Sequence, residues 1–72
     1  MTRLILSNNI KGLRFLRGEM TQQELATKAG VSRQTIIAIE NSKYNPSLEL
    51  SFRIAHVFEV GIEEVFDYKV VS

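Results

Sequence analysis

Apolar residues return every three or four positions through most of the chain, with polar residues between them, which is the pattern of a string of short helices. Ile10 and Leu13, with Leu16 as a third candidate, mark the inward face of a first helix capped by Ser7 or Asn8 and running to about Arg17. Gly12 weakens that helix by about 1 kcal/mol relative to alanine. Gly18-Glu19-Met20 breaks the pattern. Thr21-Gln22-Gln23-Glu24 then has the form of a capping box, with Thr21 at the cap and Glu24 reaching back to its N–H. Leu25, Ala26 and Ala29 form a narrow apolar face on this second helix, and Gly30 is placed to end it in a left-handed turn.

Ser32 caps a third helix that reaches about Asn41. Asn45-Pro46-Ser47 reads as a turn and a further cap, opening a fourth helix from Leu48 to about Phe58. There Leu48, Phe52, Ala55 and Phe58 recur at near-helical spacing, with Ile54 beside them. Gly61 breaks the chain again, and Ile62 to Phe66 suit a short fifth helix. The two ends depart from this pattern. Arg3-Leu4-Ile5-Leu6 and Tyr68-Lys69-Val70-Val71 lean toward β structure and are expected to be short extended segments flanking an all-α, five-helix domain.

The length of 72 residues suits one domain, residues 1–72, with a core over about 8–67. Without cysteine the chain has neither a disulfide nor a thiolate metal site. His56 is the only histidine, so no histidine metal cluster can be assembled, and no cofactor is expected. Ser32 and Thr35 have no neighbouring base, there is no glycine-rich phosphate loop, and Glu63-Glu64 suit the first turn of a helix as dipole partners. An enzyme is therefore not expected. The apolar stretch Leu4 to Leu6 is too short for a signal sequence, and no segment approaches the roughly 20 apolar residues that cross a bilayer. The expectation is a soluble, cytoplasmic protein without membrane contact. A net charge of +1, taken alone, argues against a strongly basic tail and says nothing against a focused basic patch.

The segment from Thr21 to Asn41 carries the candidate chemistry. Two capped helices joined by a tight Gly30-Val31-Ser32 turn form a helix-turn-helix layout, with Ala26 and Ala29 small enough for a close crossing. An ordinary αα-corner packed for stability has the same spacing. The polar decoration favours nucleic acid. At about 100° per residue, Arg33, Gln34, Ile37 and Asn41 share one face of the third helix, while Ile36 and Ile39 share another and belong to the core. Arginine pairs bidentately with guanine and glutamine with adenine, and an apolar side chain such as Ile37 can meet a thymine methyl. The alternative reading of Ile37 is a lone exposed apolar residue or a subunit contact. Gln22 can offer its amide and the start of its helix to a phosphate. Asn41, Ser42, Lys43 and Tyr44 are donors just past the third helix.

Residues 20–66, "MTQQELATKAGVSRQTIIAIENSKYNPSLELSFRIAHVFEVGIEEVF", resemble the phage Cro and repressor-type, or Xre-like, helix-turn-helix family, and within it small bacterial regulators. The resemblance implies a five-helix α domain that binds double-stranded operator DNA as a homodimer and regulates transcription. It implies a phosphate clamp at Gln22, base reading at Arg33 and Gln34, and groove-facing positions at Ile37 and Ala38. It further implies phosphate contacts at Thr35, Asn41 and Lys43, and an ion pair between Arg14 and Glu40. Tyr44 is grouped with the phosphate donors. Ser42 stands where a glycine is usual in the family, so either the C-cap is less relaxed or Ser42 takes a left-handed conformation at some energetic cost. The Gly18-Glu19-Met20 connection is one residue longer than is common, which affects the register of Arg14. The terminal segments lie outside the shared core and, if paired as strands, suit a small sheet at a dimer interface. With no ligand-sensing domain, no small-molecule effector is expected. The alternative function is an antitoxin or adaptor that uses the same helices to hold a protein.

Overall fold

The computed structural model of the chain describes residues 2–71. Met1 and Ser72, the outermost residues of the two terminal segments, lie outside the described residues. The order of elements is β1 (Arg3–Asn8), α1 (Ile10–Leu16), α2 (Gln22–Ala29), α3 (Arg33–Glu40), α4 (Leu48–Phe58), α5 (Ile62–Val65) and β2 (Phe66–Val71). Among the described residues five helices are present, but the domain is not purely α. β1 and β2 pair antiparallel as a two-stranded sheet, with Leu4 opposite Val70, Leu6 opposite Tyr68 and Asn8 opposite Phe66. The two β-prone tails satisfy each other's backbone groups, an outcome that helical periodicity in the middle of the chain does not reveal.

The core is built around Phe58, with Ile10, Leu25, Ile36, Ile54 and Ala26 equally sealed from solvent. Local chemistry sets the helix ends. Ser47 accepts a bond from the Leu50 N–H at 3.1 Å, which starts α4 just after Pro46. α1 starts differently from expectation. Asn9 is its cap residue without a side-chain bond, while Asn8 Oδ1 accepts from the Ile10 N–H at 3.2 Å. Asn8 also donates through Nδ2 to the Ile39 carbonyl at 3.0 Å, and the Asn9 N–H reaches the Val65 carbonyl at 2.8 Å. These bonds hold the base of the sheet against α3 and α5.

Two inward faces differ from the sequence pattern. Leu16 is exposed, whereas Met20, from the break, is buried. α1 stops at Leu16, and Gly18 and Glu19 take φ values of 75° and 58°, turning the chain so that Met20 enters the core instead. On α4 the buried residues are Leu50, Ser51, Ile54, Ala55 and Phe58, while Leu48 and Phe52 face outward. This helix carries apolar residues on two faces, and packing against α2 and α5 selects the one centred on Ile54. Ser51 tolerates burial because its hydroxyl donates to the Ser47 carbonyl at 2.9 Å.

Candidate nucleic-acid interface

Thr21 and Glu24 exchange both bonds of a capping box: the Glu24 N–H donates to Thr21 Oγ1 at 3.0 Å, and the Thr21 N–H donates to Glu24 Oε1 at 3.1 Å. The bond from the Thr21 backbone chiefly, and that from its hydroxyl next, hold the Glu24 carboxyl below its ordinary value of 4.5. At the other end of α2, Gly30 has φ 76°, and the Val31 N–H returns to the Ala26 carbonyl at 3.0 Å. That left-handed corner strains any residue with a Cβ. Arg53 of α4 donates to the Ala29 carbonyl at 3.4 Å, which satisfies another group at this helix end.

α3 begins at the Ser32 cap, whose Oγ accepts from the Thr35 N–H at 3.2 Å and lies 3.0 Å from the Thr35 hydroxyl. Ile36 and Ile39 sink one face of the helix into the core. The opposite side is left for Arg33 and Gln34, both exposed in the first turn. Ile37 and Ala38 are half-buried, so Ile37 is not the openly exposed residue that its place on the polar face suggests. The helix ends through Asn41 into Ser42, which has φ 58° and lies in the left-handed region, and the Lys43 N–H returns to the Ala38 carbonyl at 2.8 Å. Asn41, Lys43 and Tyr44 are all exposed.

Arg33 and Tyr44 line different hollows of the surface. Arg33 shares an open groove with Thr21, Gln22 and Gln23 at the start of α2. Tyr44 lies at the far end of α3, beside Leu6, Asn8 and Phe66 at the base of the sheet. Behind the groove, Glu40 accepts from Arg14 Nε at 2.7 Å and Arg14 Nη2 at 3.2 Å, and the two side chains are 15% and 8% exposed. Arg14 Nη1 donates to the Met20 carbonyl at 2.9 Å, so the longer connection after α1 still delivers the guanidinium to α3. The same carboxylate accepts from Gln22 Nε2 at 3.1 Å.

Sequence reasoning named Asn8 only as a candidate cap and missed its bond to the Ile39 carbonyl, along with the burial of Met20 and the Gln22–Glu40 bond. Asn8 had a local signal as a cap. The other two depend on how the chain folds back and have none. Among the described residues, no group of three His, Cys, Asp or Glu side chains is placed to hold a metal, and no helix is long and apolar enough to cross a membrane.

An uncharacterized HTH-type transcriptional regulator of Methanocaldococcus jannaschii is 55% identical over 64 residues, covering 89% of this chain and 96% of that protein. A second such regulator, from Archaeoglobus fulgidus, is 57% identical over 47 residues, covering 65% of this chain and 67% of the relative. The uncharacterized HTH-type transcriptional regulator YgzD of Bacillus subtilis is 41% identical over 61 residues, with 85% of this chain and 91% of YgzD covered. The helix-turn-helix family model matches residues 13–65, from within α1 to the end of α5. The chain therefore belongs to the Cro/C1-type helix-turn-helix family.

Proposed function

We propose that this protein is a sequence-specific DNA-binding transcriptional regulator that acts as a homodimer, with α3 in the major groove. The observation that carries this reading is the division of α3 into two faces: Ile36 and Ile39 are sealed in the core, and Arg33 and Gln34 stand free in the first turn. The first turn is where a recognition helix meets base edges. Arg33 pairs with guanine O6 and N7, and Gln34 with adenine N6 and N7. Ala38 and the exposed part of Ile37 present methyl groups to the groove, where a thymine methyl is the matching surface. Gln22, Thr35, Asn41, Lys43 and Tyr44 grip phosphates on either side and set the register of α3. The regulator names of the relatives support the same reading, and DNA binding would place the protein in the cytoplasm.

One domain of this size covers a half-site, and two-fold symmetry supplies the second. The sheet offers the contact surface. Leu4, Leu6, Tyr68 and Val70 all stand on one of its faces and are exposed. A two-stranded sheet with an uncovered apolar face is marginal alone and gains from a second layer. Selection of bound sequences from a random duplex pool tests the proposal. Enrichment of a two-fold-symmetric motif, with half-sites about one helical turn apart, is expected. A pool without enrichment overturns it and favours an adaptor that holds a protein.

A further inference from the structure

Glu40 is the last residue of α3, and its carboxylate joins α1, α2 and α3 at one point. It takes two bonds from Arg14 and one from the Gln22 amide, at 2.7, 3.2 and 3.1 Å. We propose that Glu40 is a positioning residue for the phosphate contact assigned to Gln22, an inference that rests on the DNA-binding reading above. The Arg14–Glu40 pair is then part of the binding apparatus as well as of the fold.

A glutamine amide carries two N–H donors and a carbonyl acceptor. Glu40 engages one donor, while Gln22 remains on the wall of the open groove that it shares with Arg33. The other donor is therefore available to a phosphate oxygen without breaking the bond to Glu40. Without the tether, the side chain explores several rotamers, and freezing it on DNA opposes binding. With it, the amide is oriented before DNA arrives.

Charge makes Arg14 necessary to the arrangement. A lone carboxylate next to a DNA backbone repels it, and a carboxylate this well buried is poorly screened. The guanidinium neutralises it through two bonds to the carboxylate and is itself held by the Met20 carbonyl. Glu40 thus orients Gln22 without presenting net negative charge to the groove.

A double-mutant cycle on affinity for the selected operator tests the proposal, with Glu40→Gln, Gln22→Ala and the double variant compared with wild type. Thermal unfolding confirms that each variant is folded at the assay temperature. Glu40→Gln should weaken binding about threefold or more, a coupling usual for contacting residues. In the Gln22→Ala background the same change should do nearly nothing. An equal loss in both backgrounds overturns the proposal and leaves Glu40 a purely structural residue, as does no loss in wild type. Where Glu40→Gln does not fold, NMR of the wild-type side-chain amides decides. One Gln22 Nε2 proton should keep its shift on adding operator while the other moves; both moving together, or neither, overturns the proposal. Failure of the DNA-binding reading looks different: wild type then binds no sequence preferentially, and Arg33→Ala changes nothing.

Discussion

Arg33 occupies the first position of α3 and is exposed, in contrast to Arg14, whose guanidinium is committed to Glu40 and Met20. The two guanidinium groups differ in their surroundings: that of Arg14 is bonded inside the protein, and that of Arg33 has no hydrogen bond or ion pair among the described residues. Arg33→Ala should leave stability nearly unchanged and cost about 1–3 kcal/mol of operator affinity, with relaxed preference at one base pair. Affinities on a panel of single-base operator variants check this; equal losses on every sequence assign Arg33 to phosphate instead. Ser42 illustrates the other kind of residue-scale effect. Its φ of 58° places a side chain where glycine rests without strain. Ser42→Gly should stabilise the fold by about 0.5–1 kcal/mol, since relief of that strain exceeds the added freedom of the unfolded chain. Chemical denaturation measures the difference, and a loss of stability refutes the strain argument.

At the scale of the element, α2 is the helix whose start is most completely specified by nearby residues. Thr21→Ala removes one of its two cap bonds and should cost about 1 kcal/mol by denaturant titration. Glu24 links the same cap to pH. Its carboxyl is held below 4.5 in the folded chain, so the cap contributes fully above that value and is lost as pH falls through the lowered folded value. Acidification below pH 4.5 should therefore destabilise the protein, and Glu24→Gln should flatten that part of the stability profile. An identical acid slope in wild type and Glu24→Gln contradicts the linkage. α4 obeys a different rule. Ser47 starts it locally, but neighbouring helices choose its inward face, turning Leu48 and Phe52 outward.

For the whole molecule, the sheet links the two chain ends and presents Leu4, Leu6, Tyr68 and Val70 together. On the proposed reading this apolar face is where two copies meet, and a dimer at micromolar concentration is the expectation that follows from it. Leu4→Lys adds a charge at an exposed position, so it should shift the mass measured by sedimentation toward monomer while leaving the helices folded. Operator affinity should fall with it, because one half-site contact remains. A monomeric wild type, or a Leu4→Lys variant that stays dimeric, moves the interface elsewhere.

Much of this architecture is legible in the amino-acid order, for reasons of range. Caps at Thr21, Ser32 and Ser47 and the glycine corner at Gly30 follow from contacts within a few residues, so the sequence determines them alone. The phase of α3 was readable too, since Ile36 and Ile39 leave one consistent inward face beneath Arg33 and Gln34. What depends on distant partners was not. The inward face of α4, the exchange of Leu16 for Met20, the half-burial of Ile37 and the pairing of the two tails are settled by which surfaces meet. The bond from Gln22 to Glu40 spans eighteen positions, and no local rule selects it. Only the folded chain, by bringing α1, α2 and the end of α3 to one carboxylate, made it.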